Sequence, residues 1–371
     1  MTRPARSAAA LIRPNRPRRA VRLVVAGALL AGLAACGDTS DEPQAAEGDP
    51  VTIRLLAHDS FAVSEDVLEQ FTEETGITVE LIKGGDAGTV VNQAILTNGN
   101  PQADVLFGVD STFVTRALHE DLFIPYESPA LADVDPQYEL DEQHRVTPVD
   151  YGDVCLNYDK AWFAERGVAV PTTLEQLIEP AYKDLLVVEN PATSSPGLAF
   201  LLASVDHFGA DGWQDWWRAL RANGVAVSDD WEGAYYGEFS GGSTSEGDRP
   251  LVVSYASSPP VEVVYADPPI DDAPTGVITA GCYRQVEAAG ILRGTEHEQA
   301  ARTLIDFLLS EAFQADVPTS MFVYPVRTGT PLPATFERYS VRPDDVAELP
   351  PATVDANRAD WIDTWTDVVV R

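Results

Sequence analysis

From residue 51 onward, short apolar runs alternate with stretches in which apolar side chains recur every three or four positions. Val51-Thr52-Ile53-Arg54-Leu55-Leu56 predicts a strand, and Val67, Leu68 and Phe71 mark one face of a helix that Ser64 is placed to cap and Gly76 to end. Ile77 to Leu81 alternates as a second strand. A helix carrying Val90, Val91, Ala94 and Ile95 follows, then a third strand at Val105-Leu106-Phe107 and a helix over Phe113 to Leu118. Strand alternating with helix predicts an α/β fold in which mostly parallel strands are flanked by helices.

A polar stretch (127–146) interrupts this series. Asp150 to Tyr158 then reads as a crossing into a second half, and Gly276 to Leu292 as the return crossing. In between, Thr172 with Glu175 predicts a capping box ahead of Leu174, Leu177 and Ile178. Leu185-Leu186-Val187-Val188 is a buried strand, and Leu198 to His207 a helix. Trp213, Trp216 and Trp217 are spaced to pack inward. After the return, Thr295 with Glu298 repeats the capping-box pattern before a helix over Ala300–Ser310, and Trp361 and Trp365, four apart, share the core face of the last helix.

The N-terminus changes the picture of compartment. Residues 1–22 hold seven Arg and no acid, Leu23 to Ala35 is apolar and small, and Cys36 follows Leu33-Ala34-Ala35. That is the plan of an export signal (1–35), too short to span a bilayer, and the Cys after Leu-Ala-Ala resembles the lipobox of bacterial lipoproteins. Lipid on Cys36, a flexible tether over 36–50 and anchorage to the outer face of the cell membrane are the expectation. Setting the seven Arg against the whole-chain net charge of −33 gives −33 − 7 = −40 for residues 36–371. Nucleic acid is excluded as a partner by that balance; a cationic ligand is favoured by it. Cys155 and Cys282 remain, and in an oxidising compartment they are expected to pair.

Candidate chemistry gathers at the strand ends. Ligands of parallel sheets bind beyond the carboxyl ends of the strands, and three successive strands here end in His58-Asp59-Ser60, Gly85-Asp86-Ala87 and Asp110-Ser111-Thr112. Each Asp can cap the next helix, yet together they make an acidic rim. Gly84 to Gly88 lacks the Gly-Lys-Ser/Thr ending of a phosphate loop. Asn190 to Gly197 is a Ser-rich turn opening a helix, suited to an anionic group or to nothing more than capping. Val227 to Pro260 places Trp231, Tyr235 and Tyr236 beside acids and carries Tyr255 after the apolar run Leu251-Val252-Val253, a composition that suits a flat cation as well as an ordinary core.

At these motifs the chain resembles the thiamine-binding proteins of bacterial ABC importers, over essentially all of 51–371. The matching segments are Asp59-Ser60-Phe61, Ala103-Asp104-Val105 with Gly108 and Asp110, Asp150-Tyr151-Gly152, Thr193 to Leu198, Trp231 with Ala234-Tyr235, Leu251 to Pro259, Gln285-Val286-Glu287 and Tyr324-Pro325-Val326. The resemblance implies a class II, two-lobed periplasmic-binding-protein fold: 51–152 in the first lobe, 153–282 in the second, and 283–371 returning to the first with the C-terminal helices. Thiamine or its mono- or diphosphate is implied between the lobes, with an ABC permease and ATPase as partners and a monomeric chain. Asp86, Ser194, Trp231 and Tyr255 match site positions of the family, while His58, Ala87, Val261 and Phe322 depart from it. Asp59 and Tyr235 complete the candidate set. Tyr235, Tyr236 or Tyr265 is available to replace the aromatic wall lost at Val261.

Rival readings are a ferric-ion or polyamine carrier on the same fold and, further off, a secreted hydrolase. Neighbouring Tyr235 and Tyr236 suit iron only if both phenols converge with His or carboxylate. No Gly-x-Ser-x-Gly elbow and no His-Glu-x-x-His motif is present. Catalytic residues, cofactor and metal are therefore not expected.

Overall fold

The computed structural model describes residues 51–347 and 349–371; the export segment, Cys36 and the tether lie outside the described residues. The first half runs β1 (Val51–Ala57), α1 (Glu65–Thr75), β2 (Ile77–Lys83), α2 (Ala87–Leu96), β3 (Val105–Asp110), α3 (Val114–His119) and β4 (Phe123–Ile124). The middle contains β5 (Thr147–Asp159), α4 (Lys160–Arg166), β6 (Leu186–Glu189), α5 (Ser195–Ala222), β7 (Ala226–Ser228), β8 (Leu251–Tyr255) and α6 (Pro259–Val264). The chain closes with β9 (Thr275–Leu292), α7 (Glu298–Leu308), α8 (Glu311–Ser320), β10 (Tyr324–Pro325), α9 (Ala334–Tyr339) and α10 (Pro351–Trp365).

These strands form one mixed sheet in the order β2-β1-β3-β9-β5-β8-β6-β7, with β4 on β9 and β10 on β5. Both ends are parallel (β2-β1-β3 and β8-β6-β7), as the strand–helix alternation predicts. The centre is antiparallel, where the two long strands β5 and β9 lie side by side from Thr147↔Ala289 to Asp159↔Thr275. Alternation divides the core between the two faces of the sheet. Ile53, Leu55, Val105 and Phe107 pack with Phe71 of α1, Leu304 of α7 and Phe313 of α8. Leu56, Leu106 and Val109 pack with Val90 of α2, Ala117 of α3 and Trp213, Trp216 and Trp217 of α5.

Several local expectations shift for identifiable reasons. Gly76 ends α1 in the left-handed region at φ 70°, but Ser64 does not cap it with its hydroxyl, which donates to Asp316 of α8 instead. Neither capping box forms. Glu175–Ile178 is a 3₁₀ turn in which Gln176 Oε1 accepts from the Thr172 N–H, and Glu175 pairs with His207. Thr295 donates to Asp104 and accepts from the His297 N–H, so α7 begins at Glu298. The helix expected over 198–207 runs to Ala222, broken at Gly209, whose φ is 70°. Trp365 is buried, whereas Trp361 is only half-buried.

Cys155 and Cys282 form a disulfide between β5 and β9. It stands where the strand register jumps: Val154 pairs with Tyr283, but Leu156 pairs with Ile278. Residues 279–282 bulge out of the ladder, and Cys282 is the last of them.

Candidate functional site

The carboxyl ends of β1 and β2 are laced together before any ligand is considered. The Gly85 N–H donates to Asp59 Oδ1 at 3.0 Å, the Asp59 N–H donates to the Gly85 carbonyl at 2.9 Å, and Lys83 Nζ donates to the Asp59 carbonyl at 2.6 Å. Asp86 caps α2 by accepting the Ala87 N–H at 2.7 Å. Its second oxygen accepts the Trp231 N–H at 3.1 Å, from a turn 145 positions along the chain that follows β7. One carboxylate therefore ties the first parallel end of the sheet to the second.

Behind Trp231 runs a continuous polar chain. The indole N–H donates to Ser254 Oγ at 3.0 Å, Ser254 and Ser258 are 2.8 Å apart, and Ser258 Oγ accepts the Tyr255 N–H. The Tyr255 hydroxyl donates to Gln285 Oε1 at 3.1 Å, and Gln285 Nε2 donates to Ser195 Oγ at 3.2 Å. Gly152 makes room for the Tyr255 ring: a Cβ there would lie 2.6 Å from Tyr255 Cδ1. Gly108 is needed for a second reason. It sits at a bulge in β3 at φ +95°, and a Cβ would meet the His58 ring at 2.5 Å.

A cavity of about 260 Å³ opens between these groups. Trp231, Tyr236, Tyr255, Tyr265 and Phe322 supply its ring surfaces. Phe322 is held in the left-handed region at φ 57°, a conformation that costs a bulky residue about 1–3 kcal/mol. Its ring meets Tyr265 edge-on at 5.8 Å. Four acids line the same space (Asp59, Asp86, Glu232 and Glu287) against Lys83 and His58. Both basic groups are already engaged, Lys83 with the Asp59 carbonyl and His58 with Glu287 at 3.1 Å. Burial raises the Asp86 pKa, partly offset by the Ala87 N–H, the Ser194 hydroxyl and His58.

Of the sequence-predicted residues, His58, Asp59, Asp86, Ala87, Trp231, Tyr255 and Phe322 line this cavity. Ser194 and Tyr235 do not. Ser194 is the buried N-cap of α5, accepting the Gly197 N–H, and it is Ser195 that faces the cavity. Tyr235 is fully buried and stacks behind Trp231 at 5.1 Å, leaving Tyr236 on the cavity side. The two phenols of the iron reading thus do not converge on the cavity. Asp110, expected on the rim, is fully buried, capping the next turn through the N–H groups of Thr112 and Phe113. Glu287 lines the cavity without having been singled out as a contact; only the strand pairing reveals it.

A sheet with parallel ends, two long central crossings and an acidic, aromatic cavity at the strand ends defines a solute-binding protein. The family model for bacterial extracellular solute-binding proteins matches residues 100–344, and the chain belongs to that family as the substrate-binding component of an ABC importer. Among curated relatives, the thiamine-binding periplasmic protein of Escherichia coli (strain K12) is 29% identical over 323 residues, covering 86% of this chain and 94% of that one. A solved periplasmic thiamin-binding protein superposes with a TM-score of 0.75 at 28% identity, covering 86% of this chain and 96% of its own. Iron-bound HitA from Pseudomonas aeruginosa matches with a TM-score of 0.68 at 20% identity, covering 86% and 99%, a likeness of fold alone.

Proposed function

We propose that this chain captures thiamine, or its mono- or diphosphate, and delivers it to the permease and ATPase of its importer. The observation that carries the reading is that Asp86, Trp231 and Tyr255 share one cavity. The thiazolium is a permanent cation, which ring faces attract by about 0.5–2 kcal/mol each and carboxylates attract further. The aminopyrimidine is a flat ring whose amino group is a donor for a carboxylate such as Asp59, Asp86 or Glu232. Ser195 and the N-terminus of the long helix α5 are suited to the phosphate end of an ester. His58, Ala87 and Phe322 complete the contacts, while Ser194 and Tyr235 support the wall from behind.

In this reading the lobes are 51–152, 153–282 and the returning 283–371. Both changeovers fall inside the paired strands β5 and β9, so closure about the ligand flexes those two strands. The mature chain acts as a monomer tethered through lipid on Cys36. The test is a titration of thiamine and its two phosphates followed by tryptophan fluorescence and calorimetry. Saturable quenching with heat is the expected result, and no heat with any of the three refutes the reading. Loss of fatty-acid labelling in Cys36→Ser tests the anchor separately.

A further inference from the structure

Strand register places three acids in one row across the middle of the sheet. Asp110 of β3 is the partner of Glu287 of β9, and Glu287 is the partner of Asp150 of β5. Such cross-strand partners have Cα atoms about 4.5–5.5 Å apart, and like charges directly opposite are destabilising. Glu287 is 8% exposed and lines the cavity; Asp110 and Asp150 are buried behind it, and no donor reaches either Oδ2. From the end of β1, His58 Nε2 meets Glu287 Oε1 at 3.1 Å. The other ionisable groups facing this row are Asp86 at the start of α2, Tyr255 of β8, Lys83 at the end of β2 and, on the Asp110 side, the buried Arg358 of α10. The turn from α8 to β10 contributes only Ser320, Met321, Phe322 and Val323 to this wall.

We propose that Glu287 selects for positive charge in this cavity by exchange: as the ligand's cation settles against its carboxylate, a proton leaves one of the groups packed against it, Asp110, Asp150 or His58. Three carboxyls so close and so poorly solvated resist ionising together, and each cation set beside them eases that resistance. Burial, opposed by the hydrogen bonds of Thr112 and increased by Glu287, pushes Asp110 up to about 7. Burial and then Glu287 raise Asp150 as well. For His58, burial opposes the charge, but the Glu287 carboxylate outweighs it and the pKa rises. Asp110, Asp150 and His58 are therefore the groups that hold protons beside Glu287. A fixed positive charge set against Glu287 makes those protons easier to lose from acid and imidazole alike, and they pass to solvent.

This inference rests on the thiamine reading, and its test separates the two. Thiamine is titrated into the full chain at pH 7 in phosphate and in Tris, whose ionisation heats differ, so the difference in binding heat counts the protons released. The wild type is expected to release about 0.3–1 proton per thiamine, and its Kd to tighten about 2- to 10-fold from pH 6 to pH 8, within the limit of tenfold per pH unit set by one proton. Glu287→Gln keeps the side chain's shape beside His58 and removes its charge. It is expected to abolish the release and to shrink the preference for thiamine over its neutral thiophene isostere from tenfold or more to under threefold. Tight thiamine binding by wild type with equal heats in the two buffers overturns the exchange, as does an undiminished preference in Glu287→Gln. If the wild type takes up no thiamine at all, the ligand reading itself falls and this inference falls with it.

Discussion

Trp231→Ala is the substitution that most directly examines the aromatic wall. The side chain is half-buried, with one face stacked on Tyr235 at 5.1 Å and its edge fixed by the hydrogen bond to Ser254. Its exposed face lines the cavity, where a thiazolium or pyrimidine ring would lie. A cation–π contact in a partly desolvated site contributes about 1–2 kcal/mol, and the apolar area lost adds about 1–2 kcal/mol. The sum of about 2–4 kcal/mol corresponds to a Kd raised by about 30- to 1000-fold. Asp86 keeps its bond to the backbone N–H of residue 231 in the variant, so the link between the sheet ends survives. Trp231→Phe separates ring from hydrogen bond: it keeps a face and loses the indole donor, costing about 1 kcal/mol or fivefold. Calorimetry on the two variants, with melting temperatures to show that both are folded, measures this. A folded Trp231→Ala variant whose Kd rises less than threefold would refute the assignment of Trp231 as a wall of the site.

Three further outcomes are expected. Gly152→Ala puts a methyl 2.6 Å from the Tyr255 ring and drives that ring into the cavity, so thiamine affinity should fall at least about tenfold, with a stability cost of about 1–3 kcal/mol. Asp110→Asn should stabilise the protein in alkaline but not in acidic solution. A buried acid at about 7, against an ordinary value of 3.8, binds its proton more tightly folded than unfolded, so the native state loses stability as pH rises through that window. The variant escapes a penalty of about 1–4 kcal/mol that is complete above pH 7 and absent below pH 4; melting curves at pH 5 and pH 8 measure it, and equal shifts at both contradict it. Replacing Cys155 and Cys282 by Ser together should cost about 3–5 kcal/mol for a bridge of sequence separation 127, read as a lower denaturant midpoint.

The local periodicities carried the elements well, because each strand and helix announces its buried face through its own residues. They carried the site less well. Ser194 and Ser195 are adjacent in a turn, and which hydroxyl caps and which faces outward depends on the angle at which α5 leaves β6. Tyr235 and Tyr236 are similarly adjacent, and their sides are decided by a wide π-type turn over Gly233–Glu238 that no short pattern signals. Asp110 reads as a rim residue because it follows a strand, but the bulge at Gly108 turns it inward. The capping boxes at Thr172 and Thr295 failed because partners distant in sequence or an adjacent glutamine took the same donors and acceptors. Glu287 was invisible as a contact because its neighbours lie 177 and 137 positions away, at Asp110 and Asp150, and only pairing brings them beside it.

The covalent tie between β5 and β9 bears on how such a molecule can gape. Two adjacent ribbons fastened at one rung, next to a bulge, are barred from slipping lengthwise past each other there. On the proposed lobe division, opening and closing would be a flexing of both ribbons in concert about that rivet. A reductant would relax the restriction without touching a single group that lines the cavity.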